Sequence, residues 1–111
     1  KPIDESIRVL AFQAARELLF NIVKHAQAHH VWVSMERVDD MVHIMIEDDG
    51  IGLQASLQRR KTAKKGGGFG LFSIQERLKH FGGRLDITSD PGKGTRMVLI
   101  VPMQTTQGDQ V

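Results

Sequence analysis

No cysteine occurs in the 111 residues, which removes disulfides and thiolate zinc sites and fits a reducing, cytoplasmic setting. No apolar run approaches the ~18 residues that span a bilayer; the longest near the end is Val98-Leu99-Ile100-Val101. Asp4, Glu5 and Arg8 interrupt the first apolar stretch, so no signal-peptide pattern stands there. Direct membrane contact by this piece is not expected, and a parent protein could carry membrane segments elsewhere. Acidic residues are missing between Leu53 and Gly67, where Arg59, Arg60, Lys61, Lys64 and Lys65 carry +5. The whole chain is only +2, so everything else sums to −3. The pI of 9.2 therefore comes from one loop and not from a basic face, which argues against a nucleic-acid binder. That loop can meet phosphate or simply be solvated.

The length fits one compact domain, assigned to residues 1–103, with a polar tail over 104–111. From about Ser6 to Gln27, Leu10, Ala14, Leu18 and Ile22 recur at helical spacing among good helix formers, which predicts a long helix. Val31, Val33 and Met35 alternate with Trp32, Ser34 and Glu36. After Asp39-Asp40, Val42, Ile44 and Ile46 alternate with His43, Met45 and Glu47, which predicts an antiparallel hairpin. Residues 50–70 show no periodicity, and a loop of that length is functional or disordered. Residues 53–67 have almost no apolar anchors, so this segment is expected to be mobile without a ligand. Leu71, Ile74, Leu78 and Phe81 mark a second helix, stopped at Gly82-Gly83. Leu85 and Ile87, the turn Asp90-Pro91-Gly92-Lys93-Gly94, and Met97 to Val101 predict a last hairpin ended by Pro102. The order of elements points to a two-layer α+β sandwich.

Four segments can carry chemistry. Glu17 and Asn21 stand four apart on the first helix, with Lys24 on the same face and His25 at its edge. An acid, a carboxamide and a cation there can hold a hard metal through oxygen and balance phosphate charge, although such a face is more often merely solvated. Asp48-Asp49-Gly50-Ile51-Gly52 closes the second strand; its glycines permit close backbone approach, and it also reads as a plain turn. Lys65-Gly66-Gly67-Gly68-Phe69-Gly70 leads into the second helix, where freed N–H groups and the helix dipole favour anions. Gly92-Lys93-Gly94-Thr95 is a tight turn with a hydroxyl at the start of a strand.

Each segment is weak alone, and their order is not. Glu-x-x-x-Asn on a helix, Asp-x-Gly-x-Gly after a strand, Gly-x-Gly-x-Gly before a helix and Gly-x-Gly-Thr before the last strand together resemble the nucleotide site shared by gyrase, the ninety-kilodalton heat-shock chaperones, histidine kinases and MutL. The resemblance spans Ile7 to Pro102. Arg16 to Ala26 is similar to the histidine-kinase N-box, and Gln75-Glu76-Arg77-Leu78 with Gly82-Gly83 is similar to the stretch after the second glycine box. The wording looks closest to kinases paired with response regulators that carry LuxR-type DNA-binding domains.

The resemblance implies a Bergerat-type sandwich, a mixed sheet with helices on one face. It also implies ATP and Mg²⁺ as ligands. Asn21 would ligate the metal, with Glu17 beside it and the γ-phosphate, positioning the attacking group. Lys24 and His25 would contact phosphate oxygens. Asp48 would accept the adenine amino hydrogen, Gly50, Ile51 and Gly52 would shape the base pocket, and Thr95 would reach the adenine side. Gly66, Gly68, Phe69, Gly70 and Leu71 would close over the phosphates. Asp49 stands where the family usually has asparagine, and no convincing phenylalanine box occurs in the loop. The implied partners are the dimerisation and histidine phosphotransfer domain of a parent kinase and a response regulator.

Rival folds fail on the residues. Gly50-x-Gly52-x-x-Ala55 follows a strand like a dinucleotide fingerprint, yet no helical pattern follows and residues 56–75 contain no acid to hold a ribose. No Gly-Lys pair precedes Ser or Thr, so a P-loop is absent. A serine kinase of the anti-sigma-factor type, or a nucleotide-binding docking module without phosphotransfer, remain as alternatives. Acceptor histidines in histidine kinases are usually followed by an acid; His25, His29, His30, His43 and His80 are followed by Ala, His, Val, Ile and Phe. The chain is therefore expected to bind ATP and not to phosphorylate itself.

Overall fold

A computed structural model describes residues 3–53 and 71–104. Helix α1 runs Glu5–His25. Its buried side chains, Ile7, Leu10, Ala11, Ala14, Leu18 and Ile22, form one stripe at three- and four-residue spacing. The Asp4 N–H donates to the Met103 carbonyl at 2.8 Å, tying the helix start to the end of the chain's last strand. Strands β1 (Val31–Val38) and β2 (Met41–Asp48) pair antiparallel across the two-residue Asp39-Asp40 turn, where Asp39 takes a φ of 55°. Helix α2 covers Leu71–His80, and β3 (Arg84–Asp90) and β4 (Gly94–Pro102) form the second hairpin.

The sheet order is β1-β2-β4-β3. All three pairings are antiparallel, which corrects the expected mixed sheet among the described residues. The reason is the insertion of β4. The crossover through α2 returns β3 in the direction of β2, and β4 folds back between them, antiparallel to both. An all-antiparallel sheet also excludes the doubly wound dinucleotide fold.

Both helices lie on one face. Val42, Ile46, Leu85, Met97, Leu99 and Val101 from the strands meet the α1 stripe and Ile74 and Leu78 of α2 in a single core. Leu18, Ile46, Ile74, Leu78 and Leu99 are almost wholly inaccessible, each contributing about 1.5–3 kcal/mol by burial. β1 is an edge strand, and all eight of its residues are exposed because α1 lies over β2 and β4. Among the described residues, no helix is long and apolar enough to cross a membrane.

Candidate functional site

The ends of α1, β2 and the β3–β4 turn meet at one edge of the core. They meet there because glycines let backbones touch. A Cβ on Gly50 would stand 2.2 Å from the Ala26 carbonyl oxygen, in the turn that ends α1. A Cβ on Gly94 would meet the Asp48 carbonyl oxygen. These approaches are stitched by hydrogen bonds: Ile51 N–H donates to the Ala26 carbonyl at 2.9 Å, and Gly92 N–H to the Ile51 carbonyl at 3.0 Å.

A tight cleft lies at this junction, with enclosed space for little more than one water molecule. Leu18, Asn21, Ile22, Ala26, Asp48, Leu53, Thr95 and Met97 line it. Three of the sequence segments thus bring one polar side chain each: Asn21 from α1, Asp48 from the end of β2 and Thr95 from β4. Asp48 and Thr95 are buried within an otherwise apolar core. Burial pushes the Asp48 carboxyl above its ordinary range, opposed by the Gly50 N–H and raised further by Asp49 and Glu47. The Gly50 N–H donates to Asp48 Oδ1 at 2.8 Å. A buried carboxylate that keeps unused lone pairs is a site for a hydrogen-bond donor.

The other predicted residues are placed differently. Glu17 lines a separate cleft with Gln13, Arg16, Phe20 and Arg77. Its Oε1 accepts from Arg77 Nη2 of α2 at 3.2 Å, so the carboxylate is held by a guanidinium on the neighbouring helix. Lys24 Nζ sits 5.4 Å from the centre of the Phe20 ring. His25, Ile51 and Leu71 are half-buried, and Gly52 is buried with a φ of 95°. Gly66, Gly68, Phe69 and Gly70, together with residues 54–67 of the basic loop, lie outside the described residues. Among the described residues, no group of three or more histidine or acidic side chains forms a ready metal cage.

Three side chains have roles that the sequence did not assign. Asp49 clasps the connection between α1 and β1: its Oδ1 accepts from His29 N–H at 2.8 Å and His30 N–H at 2.9 Å, and its Oδ2 lies 2.9 Å from His30 Nδ1. The backbone N–H of His30, then its ring, hold the Asp49 carboxyl down at about 2. Ser89 joins Leu53 to Thr95 through its hydroxyl. Arg77 holds Glu17, and its Nε is buried with no hydrogen-bond partner among the described residues. Adjacent Asp48 and Asp49 read alike in sequence, yet one is buried in the core and the other braces a loop.

Residues 7–105 match the family described as histidine kinase-, DNA gyrase B-, and HSP90-like ATPase. An uncharacterized sensor-like histidine kinase of Chloroflexus aurantiacus is 40% identical over 95 residues, which is 85% of this chain and 16% of that protein. The signal transduction histidine-protein kinase/phosphatase DegS of Brevibacillus brevis is 33% identical over 103 residues, 93% of this chain and 25% of that one. The chain thus spans a quarter or less of the length of these two curated relatives. Among solved structures, the histidine kinase domain of the blue-light activated kinase from Erythrobacter litoralis EL346 aligns with a TM-score of 0.62 at 21% identity, covering 81% of this chain and 42% of its own. The Acinetobacter baumannii histidine kinase AdeS aligns with a TM-score of 0.65 at 21% identity, covering 86% and 47%. At that identity the two structures establish a shared fold.

Proposed function

The chain belongs to the histidine kinase-, DNA gyrase B- and HSP90-like ATPase family, and from that membership we propose that it binds Mg-ATP and donates the γ-phosphate to a histidine on a separate dimerisation domain in two-component signalling. The observation that carries the nucleotide half is the convergence of Asn21, buried Asp48 and buried Thr95 on one cleft. The kinase half is supported by relatives that are themselves named sensor or signal-transduction histidine kinases. Partners of the whole protein, a phosphotransfer domain and a response regulator of the LuxR-type class, belong to the same proposal.

In this reading Asp48 accepts a hydrogen from the adenine amino group, and Gly50, Ile51 and Gly52 form the wall that lets the base lie against backbone. Thr95 offers its hydroxyl on the adenine side. Asn21 presents one neutral oxygen, which suits a metal that arrives with phosphate better than one bound alone. Mg²⁺ supplies neutralisation of the phosphate charge when bound. Lys24 and His25, in the last turn of α1, are assigned to the phosphate oxygens, which Lys24 would meet by leaving the Phe20 ring. Glu17 reaches the metal only by leaving Arg77, so its role is assigned to orienting or deprotonating the incoming imidazole. The ATP-binding domain in this reading covers residues 1–103, followed by a polar tail over 104–111.

The test is transfer from γ-labelled ATP to candidate acceptor domains offered in trans. Label on histidine of the acceptor, with none on this chain incubated alone, is expected. Label on serine would assign the anti-sigma-factor type of kinase instead, and nucleotide binding with no transfer would assign a docking module.

A further inference from the structure

Resting on the adenine-nucleotide reading, we propose that Ser89 determines base selectivity by fixing the hydrogen-bond polarity of Thr95. Ser89 stands on β3, one strand removed from the cleft, and its hydroxyl has three neighbours. Leu53 N–H donates to Ser89 Oγ at 2.7 Å. The Gly94 carbonyl oxygen lies 3.2 Å away, and Thr95 Oγ1 lies 3.1 Å away. Leu53 and Thr95 both line the cleft with Asp48, so Ser89 ties together two of its walls.

The proton directions follow from counting donors and acceptors. A serine hydroxyl has one proton and two lone pairs. The Gly94 carbonyl can only accept, so the Ser89 proton is spent on it. The Leu53 N–H takes one lone pair of Ser89, and the Thr95 hydroxyl donates to the other. This is the one assignment that satisfies all three contacts at once. Thr95 Oγ1 then has only lone pairs left to turn toward the cleft.

The polar edge that β2 and β4 offer to a base is consequently acceptor-only, made of the Asp48 carboxylate and the lone pairs of Thr95, while Asn21 on α1 is assigned to the metal. An exocyclic amino group suits that edge. A keto oxygen opposes it, because acceptor would face acceptor. Without the Ser89 hydroxyl, the Thr95 proton loses its partner and can turn into the cleft, where it donates to a keto oxygen. Asp48 alone would then carry the discrimination.

The experiment measures ADP and inosine diphosphate affinities by calorimetry on the full chain, unaltered and substituted. The unaltered chain should prefer ADP. Ser89→Ala should lower the ADP-to-inosine ratio about fivefold or more, the scale of one hydrogen bond, while Ser89→Thr keeps it within about twofold. Ser89→Cys preserves volume with a poor acceptor, and should lower the ratio in the same direction if the alanine variant does not fold. Thr95→Val should lower the ratio too, and adding Ser89→Ala to it should change nothing more. A wild-type ratio in a folded alanine or cysteine variant would overturn the proposal. So would a further drop on adding Ser89→Ala to Thr95→Val, because the effect would then bypass Thr95. If the unaltered chain binds neither diphosphate, the nucleotide reading itself is wrong and this inference goes with it.

Discussion

Replacing Gly50 with alanine tests whether the cleft depends on backbone contact between α1 and the end of β2. The new methyl would lie 2.2 Å from the Ala26 oxygen, 2.9 Å from its carbonyl carbon and 2.9 Å from Asp48 Oδ1. The first two belong to backbone at the end of a helix, which cannot rotate away as a side-chain tip can. Relief requires the segments to part by more than about an ångström, since ordinary carbon contacts lie near 3.5–4.0 Å. That movement breaks the bond from Ile51 N–H to Ala26, now 2.9 Å, and strains the one from Gly50 N–H to Asp48, now 2.8 Å. A neutral bond contributes ~1 kcal/mol and one to a charged group about 1.5–3 kcal/mol. Alanine returns about 0.4–1 kcal/mol by restricting the unfolded chain. The net expectation is a loss of ~2–3 kcal/mol, enough to lower the melting temperature by roughly 10 °C in a domain of this size. Scanning calorimetry and urea titration read this directly, and ADP affinity should fall in parallel. A Gly50→Ala chain that melts within about 2 °C of the original and binds ADP normally would refute the reasoning.

Other perturbations address single residues. Asp49, with its carboxyl at about 2 when folded against an ordinary 3.8, stabilises the fold fully above pH 3.8 and loses that contribution as the pH falls toward 2. Asp49→Ala should therefore remove part of the acid-unfolding transition in that window, as followed by circular dichroism, and a superimposable acid curve would count against the clasp. Asn21→Ala should abolish the Mg²⁺-dependent part of ATP affinity and spare the adenosine part; parallel changes with and without the metal would show that Asn21 is not its ligand. Glu17→Gln should leave ATP affinity within a few-fold and slow transfer to an added acceptor domain by about 10²-fold, the scale of a lost acid–base group. Glu17 and Arg77 are both roughly two-fifths exposed (side-chain accessibilities 42% and 39%), so breaking their pair should cost stability ~1 kcal/mol or less. An unchanged transfer rate would remove Glu17 from the chemistry.

Much of the fold was legible because local pattern and tertiary demand agree. Leu10, Ala14, Leu18 and Ile22 are spaced for one helical face, and the core uses that face. Asp39-Asp40 and Asp90 to Gly94 are turn sequences between alternating runs, and both became hairpins. The exposure of Val31, Val33 and Met35 was not legible, since alternation marks a face without saying whether a helix covers it. The sheet's antiparallel order was hidden for a similar reason: nothing local places β4 between β2 and β3. Asn21, Asp48 and Thr95 could be named from their motifs, and the structure brings them to one cleft. Ser89 was not singled out and Arg77 stood in a motif without a role, because their partners Leu53 and Glu17 are 36 and 60 residues away. A serine in a hairpin and an arginine on a helix look like solvated surface until the distant partner is seen.

The central claim is that buried Asp48 reads the adenine amino group, and calorimetric titration with ATP and GTP tests it most directly. Guanine would set its keto oxygen against the carboxylate, and an unmade bond to a charged group costs about 1.5–3 kcal/mol. ATP is expected to bind at least about tenfold more tightly than GTP, and Asp48→Ala to abolish the difference. Equal affinities for the two nucleotides in the unaltered chain, or an undiminished preference in the Asp48→Ala chain, would contradict it.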